Sequence, residues 1–134
     1  SYYGLHFTKN LMRECRFRTC TGGELLFMEG KCIVSYIRKK VMDFYGVKPK
    51  DLDGIVSQLR NTRGVEVAIF MYELDQNVFK VSLRSGNEVD VSKIAGYFGG
   101  GGHEKASGVT MTGTPQDILN NLAERIDEQL KGQA

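Results

Sequence analysis

Phe98-Gly99-Gly100-Gly101-Gly102-His103 puts four consecutive residues without a Cβ directly before one of the chain's two histidines. Such a run tolerates positive φ and lets another molecule approach the main chain, so it reads as a loop rather than a helix or strand interior. Backbone N–H groups freed in a turn can converge on an anion, and a histidine at the rim adds a donor that can hydrogen-bond or titrate. Phosphate is the ligand this chemistry suits. The glycines leave a second reading open, a tight structural turn. A flexible linker is argued against, because the run has no serine and apolar-patterned segments lie close on both sides, ending at Phe98 and resuming by Val109.

Arg84 is the other residue with phosphate chemistry. By itself it reads as a solvent-facing strand end, but arginine gives bidentate contacts to phosphate, and Ser82 and Ser85 offer hydroxyls beside it. Other sites are excluded by spacing. The glycine run lacks the Lys-Ser/Thr of a P-loop and follows a helical pattern instead of a strand; the Rossmann spacing fails because Glu104 stands where the last glycine belongs. His6 and His103 have no clustered acidic pair near them, so no metal centre is expected in this chain. Cys15, Cys20 and Cys32 are odd in number and lack C-x-x-C spacing, which argues against a disulfide framework and a zinc site and fits reduced thiols. None has a sequence-evident histidine partner, so no activated nucleophile is in view.

The elements that must position these residues follow from periodicity. Tyr3, Phe7 and Leu11, with Met12 and Cys15, make an apolar stripe that predicts an amphipathic helix over residues 1 to about 18. Two short apolar runs, 25–28 and 32–36, flank Glu29-Gly30-Lys31 and predict a hairpin. A short helix stopped at Gly46 and a second one carrying Leu52, Ile55, Val56 and Leu59 come next. Residues 65–74 and 78–83 are rich in β-branched and aromatic side chains around Asp75-Gln76-Asn77, a second hairpin. In its second strand Phe79, Val81 and Leu83 alternate with Lys80, Ser82 and Arg84, so one face is apolar and the other basic and polar. Asp90 is a fitting N-cap for a helix carrying Val91, Ile94, Ala95 and Phe98, which feeds the glycine run. A strand over about 109–111 and a last helix announced by Thr114-Pro115-Gln116-Asp117 complete the chain. The sum is a single α/β domain with one mixed sheet of about five strands and about five flanking helices.

The totals agree. A chain of 134 residues, 25% charged and 41% hydrophobic, fits one globular domain with a real core. The net charge of +2 is too mild for a duplex-DNA footprint, and the Arg38-Lys39-Lys40 cluster reads as a solvated helix face. No signal sequence opens the chain and no apolar run of about 18 residues could cross a bilayer, so a cytoplasmic location without a membrane partner is expected.

Ser82-Leu83-Arg84-Ser85, Val89-Asp90-Val91, Ile94-Ala95, the glycine–histidine run and Ala106-Ser107-Gly108 together resemble the DHH-associated C-terminal domain of DHH-family phosphoesterases. Within that superfamily they look closest to the bacterial oligoribonuclease and phosphoadenosine-phosphate phosphatase group, some members of which are named exopolyphosphatase-related. The resemblance takes in Asp53-Gly54-Ile55-Val56, Leu59-Arg60 and Gly64-Val65-Glu66-Val67-Ala68 and spans nearly the whole chain. It implies an N-terminal helix over 1–20 and a substrate-binding domain over 21–134. The Asp-His-His motif of the family's other domain is not in this sequence. The resemblance therefore implies a lobe whose divalent metals, usually manganese, sit on a separate N-terminal domain of the same protein, through which a homodimer could also form. By the same resemblance, Gly99, Gly100, Gly101, Gly102 and His103 would hold the phosphate of a nucleotide or of short single-stranded RNA or DNA, with His103 polarising it, and Arg84 and Ser85 would clamp it. A non-catalytic module for single-stranded nucleic acid or a cyclic dinucleotide is the alternative. Ser107 departs from the family pattern, which usually has a second alanine there.

Overall fold

The structure is a computed structural model and describes residues 24–132. The helix predicted over 1–18 lies outside the described residues. The chain order is β1 (Leu25–Phe27), β2 (Cys32–Ile37), α1 (Lys39–Tyr45), a 3-10 turn (Pro49–Leu52), α2 (Ile55–Arg60), β3 (Val67–Asp75), β4 (Val78–Ser85), α3 (Val91–Tyr97), β5 (Gly101–His103), β6 (Ala106–Thr112) and α4 (Pro115–Gly132). The strands form one six-stranded sheet in the order β1-β2-β3-β4-β6-β5. Only β2 and β3 run parallel, and their connection is the crossover built from α1, the 3-10 turn and α2. The other pairs are antiparallel.

The α/β reading holds, with two differences in detail. The helix predicted to carry Leu52, Ile55, Val56 and Leu59 is split, because Gly54 takes φ +90 between the 3-10 turn and α2. The additional strand is β5, inside the glycine run that reads as a loop. Glycine has little β propensity of its own, and this pairing is imposed by β6, which matches Gly101 to Gly108, Gly102 to Ser107 and His103 to Ala106.

Two cores flank the sheet. On one side α3 and α4 pack Val91, Ile94, Ala95, Ile118, Leu122 and Ile126 against strand residues such as Val67, Ile69, Phe79, Val81, Leu83 and Val109. On the other side α1, the 3-10 turn and α2 lie chiefly over the β2–β3 part, with α2 also reaching the near side of β4, and Met42, Leu52, Ile55, Val56 and Leu59 meet Ile33, Ile37, Ala68 and Phe70. Consequently β2 and most of β3 are buried on both faces, while β4 alternates buried and half-exposed residues along its length. Cys32 is buried in the first core, and that burial, with Glu66 nearby, pushes its thiol up to about 12, far from a reactive thiolate.

Candidate functional site

The bare part of the sheet, among the described residues, is the face of β4, β6 and β5 beyond the near side of β4, where α2 stops. Register decides what it displays. Arg84 is opposite Ala106 on β6, and Ala106 is opposite His103 on β5, so Arg84 and His103 project from the same face in one cross-strand row. They stand two strand spacings apart, roughly 10 Å between backbones, with only a methyl group between them. The neighbouring row runs Phe70, Ser82, Gly108, Gly101. The floor is therefore glycine and alanine with Ser82 beside them, bounded by a half-buried arginine and an exposed histidine. Arg84 donates through Nη1 to the Leu83 carbonyl at 3.0 Å, and no carboxylate pairs with it among the described residues.

The glycines have separable roles. Gly99 turns the chain out of α3 at φ +89, and the Gly100 N–H returns to the Ala95 carbonyl at 2.7 Å. At Gly100 a Cβ would come within 2.4 Å of the Gly108 carbonyl, and at Gly102, where φ is +146, within 2.7 Å of the Ala106 carbonyl; both glycines let β5 press against β6. At Gly101 nothing lies within 4 Å of such an atom, which opens toward solvent.

The turn that carries His103 is held from behind. The Ser85 and Val91 N–H groups donate to the Lys105 and Glu104 carbonyls at 3.0 and 2.8 Å. Asp90 caps α3 by accepting from the Ser92 and Lys93 N–H groups, and Gln129 of α4 grips the Asp90 backbone with one bond each way, at 2.9 and 3.0 Å. The Ser92 hydroxyl on the Asp90 carboxylate, followed by the two cap N–H groups, holds that carboxyl below its ordinary value despite partial burial. The Asp90 cap thus reaches His103 through α3 and the Val91–Glu104 bond.

Of the residues singled out from sequence, Gly99 makes the turn out of α3, Gly100 abuts Val109 of the first core and Gly102 pairs with the buried Ser107 on the covered side, whereas Arg84, Gly101 and His103 fall on this face. Ser85 does not. It sits opposite Val67 on the helix-covered face, only 6% exposed, and its hydroxyl donates to the Val89 and Glu104 carbonyls at 2.7 and 3.2 Å. It fastens the histidine turn. Two further residues carry the site without having been assigned a part in it. Glu66, buried at the entry to β3, accepts through one oxygen from the N–H groups of Gly86, Glu88 and Val89, all at 3.0 Å, and so fixes the loop that follows Arg84. A lone acid between Val65 and Val67 is the sequence signal for such a buried tether. Ser107 donates to the His103 carbonyl at 2.6 Å from the covered side, so the departure from the family pattern supplies a bond under the histidine.

No three His, Cys, Asp or Glu residues among those described converge to hold a metal ion, so this face does not fit a metal centre of its own. No helix among the described residues is long and apolar enough to cross a membrane. Three concavities among the described residues, near Arg38 and Glu73, near Tyr36 and Leu119, and near Asn87 and Gln129, include neither Arg84 nor His103.

Residues 29–132 match the DHHA1 domain. The chain belongs to the DHHA1 domain family. Over 82 residues this DHHA1 domain is 35% identical to the bifunctional oligoribonuclease and PAP phosphatase NrnA of Thermus thermophilus, a match covering 60% of this chain and 25% of that protein. It is 35% identical over 114 residues to oligoribonuclease NrnB of Bacillus subtilis, covering 78% of this chain and 29% of that protein. The chain spans roughly a quarter of the length of these curated relatives. In fold it is similar to an exopolyphosphatase-related protein of Bacteroides fragilis, with TM-score 0.75 and 20% identity over 98% of this chain and 36% of that one.

Proposed function

We propose that this DHHA1 domain is the substrate-binding lobe of a two-domain phosphoesterase acting on short oligonucleotides or nucleoside bisphosphates. The observation that carries the reading is the row Arg84–Ala106–His103 on an uncovered sheet face. The Arg84 guanidinium offers two parallel N–H donors to a phosphate, and the His103 imidazole approaches the same group from across the alanine floor. An imidazole donor aimed at a non-bridging oxygen stabilises charge that grows there as the phosphoester bond breaks. Gly101 leaves the floor bare, and Gly100 and Gly102 let β5 lie close against β6, so a substrate can rest on the backbone. A flat sheet face binds a substrate best with a facing surface, which the N-terminal DHH domain of the same protein would supply together with its divalent metals, manganese foremost. Those ions would furnish the attacking hydroxide; this chain's own residues bind, orient and polarise.

The names of the similar Thermus and Bacillus proteins, which include oligoribonuclease activity, support the reading. The test compares the full-length protein with this segment, both supplied with manganese and a ribodinucleotide. The full-length protein should release mononucleotides and lose turnover on chelation, His103→Ala should lower kcat by about 100-fold, and Arg84→Met should raise KM. Turnover by the segment alone, or wild-type kinetics in both variants, rejects the assignment. Tight nucleotide binding without turnover in the full-length protein would instead establish a non-catalytic binding module.

A further inference from the structure

Strand β4 presents a second cation to the same face. Lys80 lies two residues before Ser82 and four before Arg84, so all three project from the uncovered side, about 6.8 Å apart from one to the next along the backbone. Lysine on a strand commonly extends its ammonium away from the sheet into water. Here the chain folds down instead. The Lys80 Nζ lies 3.2 Å from where a Cβ of Gly108 would be, and its Cε 3.6 Å. Gly108 is the cross-strand partner of Ser82, not of Lys80, whose own partner is Thr110. The ammonium therefore leans toward Arg84 over the bare glycine. By strand alternation none of the β4, β6 and β5 residues sharing this face is acidic, and no carboxylate pairs with Lys80 among the described residues. Two unneutralised cations on one flat face, about 13.6 Å apart along the backbone with Ser82 between them and the lysine leaning toward the arginine, form a two-point anion receptor.

We infer that Lys80 is a second phosphate-binding position, which makes this lobe select substrates carrying two phosphates, a dinucleotide or a nucleoside bisphosphate, over those carrying one. This rests on the reading of Arg84 and His103 as the first position. Arg84 with His103 holds the phosphate that reacts; Lys80 contacts the one a nucleoside unit away. The charge matters and the stem does not, so a methionine, which keeps the stem and its packing on Gly108, removes the selectivity.

The test is calorimetric titration of the full-length protein with two probes, adenosine monophosphate and an adenosine bisphosphate bearing a phosphate on each side of the ribose. Wild type should bind the bisphosphate more tightly. Lys80→Met should weaken bisphosphate binding by about tenfold, the loss of one charge-assisted contact at a partly solvated position, and leave monophosphate binding unchanged. Lys80→Arg should retain the preference, and Lys40→Met, an exposed lysine on α1, should leave both affinities as they are. Arg84→Met should weaken both probes. If Lys80→Met weakens both probes equally or neither, or if Lys40→Met reproduces its effect, the Lys80 assignment fails while the Arg84 site stands. If Arg84→Met changes neither affinity, the phosphate site itself is elsewhere, and the Lys80 assignment goes with it.

Discussion

On β2 and β3 the residues that point away from α3 and α4 are Ile33, Ile37, Ala68 and Phe70, and two helices with a 3-10 turn close over them. On β4, β6 and β5 the positions on that same face include Lys80, Ser82, Arg84, Ala106, Gly108, Gly101 and His103, and beyond the near side of β4 no helix among the described residues covers them. Both halves follow one strand alternation within one sheet. The difference is how far α2 reaches: it packs on β3 and the near side of β4 and no further. The covered half contributes stability, and the uncovered half is available to a ligand, so the two can be damaged separately.

The largest effect should come from the covered half. Phe70→Ala removes an aromatic ring that is 2% exposed beneath α2 and should cost about 3–5 kcal/mol in urea denaturation. Glu73→Gln should cost about 1–3 kcal/mol. Burial works to raise the Glu73 carboxyl, but the Lys39 and Asn77 N–H groups and Arg38, which donates through Nη1 at 3.1 Å, outweigh it and hold the pKa below the ordinary value. A depressed carboxyl stabilises fully above its unfolded value, about 4.3, and loses that contribution as pH falls through the lower folded value. The gap between wild type and Glu73→Gln should accordingly close in acid.

Smaller effects belong to the uncovered half, where two adjacent glycines separate fold from function. Gly100→Ala forces β5 away from the Gly108 carbonyl and should cost about 1–3 kcal/mol together with nucleotide affinity. Gly101→Ala meets no neighbour, so its unfolding midpoint should stay near wild type, within about 0.5 kcal/mol, while its methyl group rises into the floor and weakens binding. Equal stability loss at both positions would erase the distinction drawn between the halves.

Most of the architecture was legible where interactions are local. The β3–β4 hairpin, the Asp90 cap, the α4 entry at Thr114-Pro115 and the two-faced character of β4 all depend on residues a few positions apart. The burial of Ser85 was legible too: the alternation that buries Phe79, Val81 and Leu83 also buries Ser85. What depends on distant partners was not legible. No local signal pairs β2 with β3 in parallel, and a glycine run shows no strand character until β6 lies beside it. The tether from Glu66 to residues 86–89 needs the loop's position before its carboxylate has anything to accept.

β5 also has a bearing on self-association. It is one of the sheet's two outer strands, and an outer strand presents unpaired N–H and C=O groups that can recruit another chain. At three residues, two of them glycine, it is too short and too weakly strand-forming to template an intermolecular ladder, and cations on the adjoining face repel a second copy. The composition that keeps the floor bare for a ligand thereby also disfavours the addition of another strand at this edge.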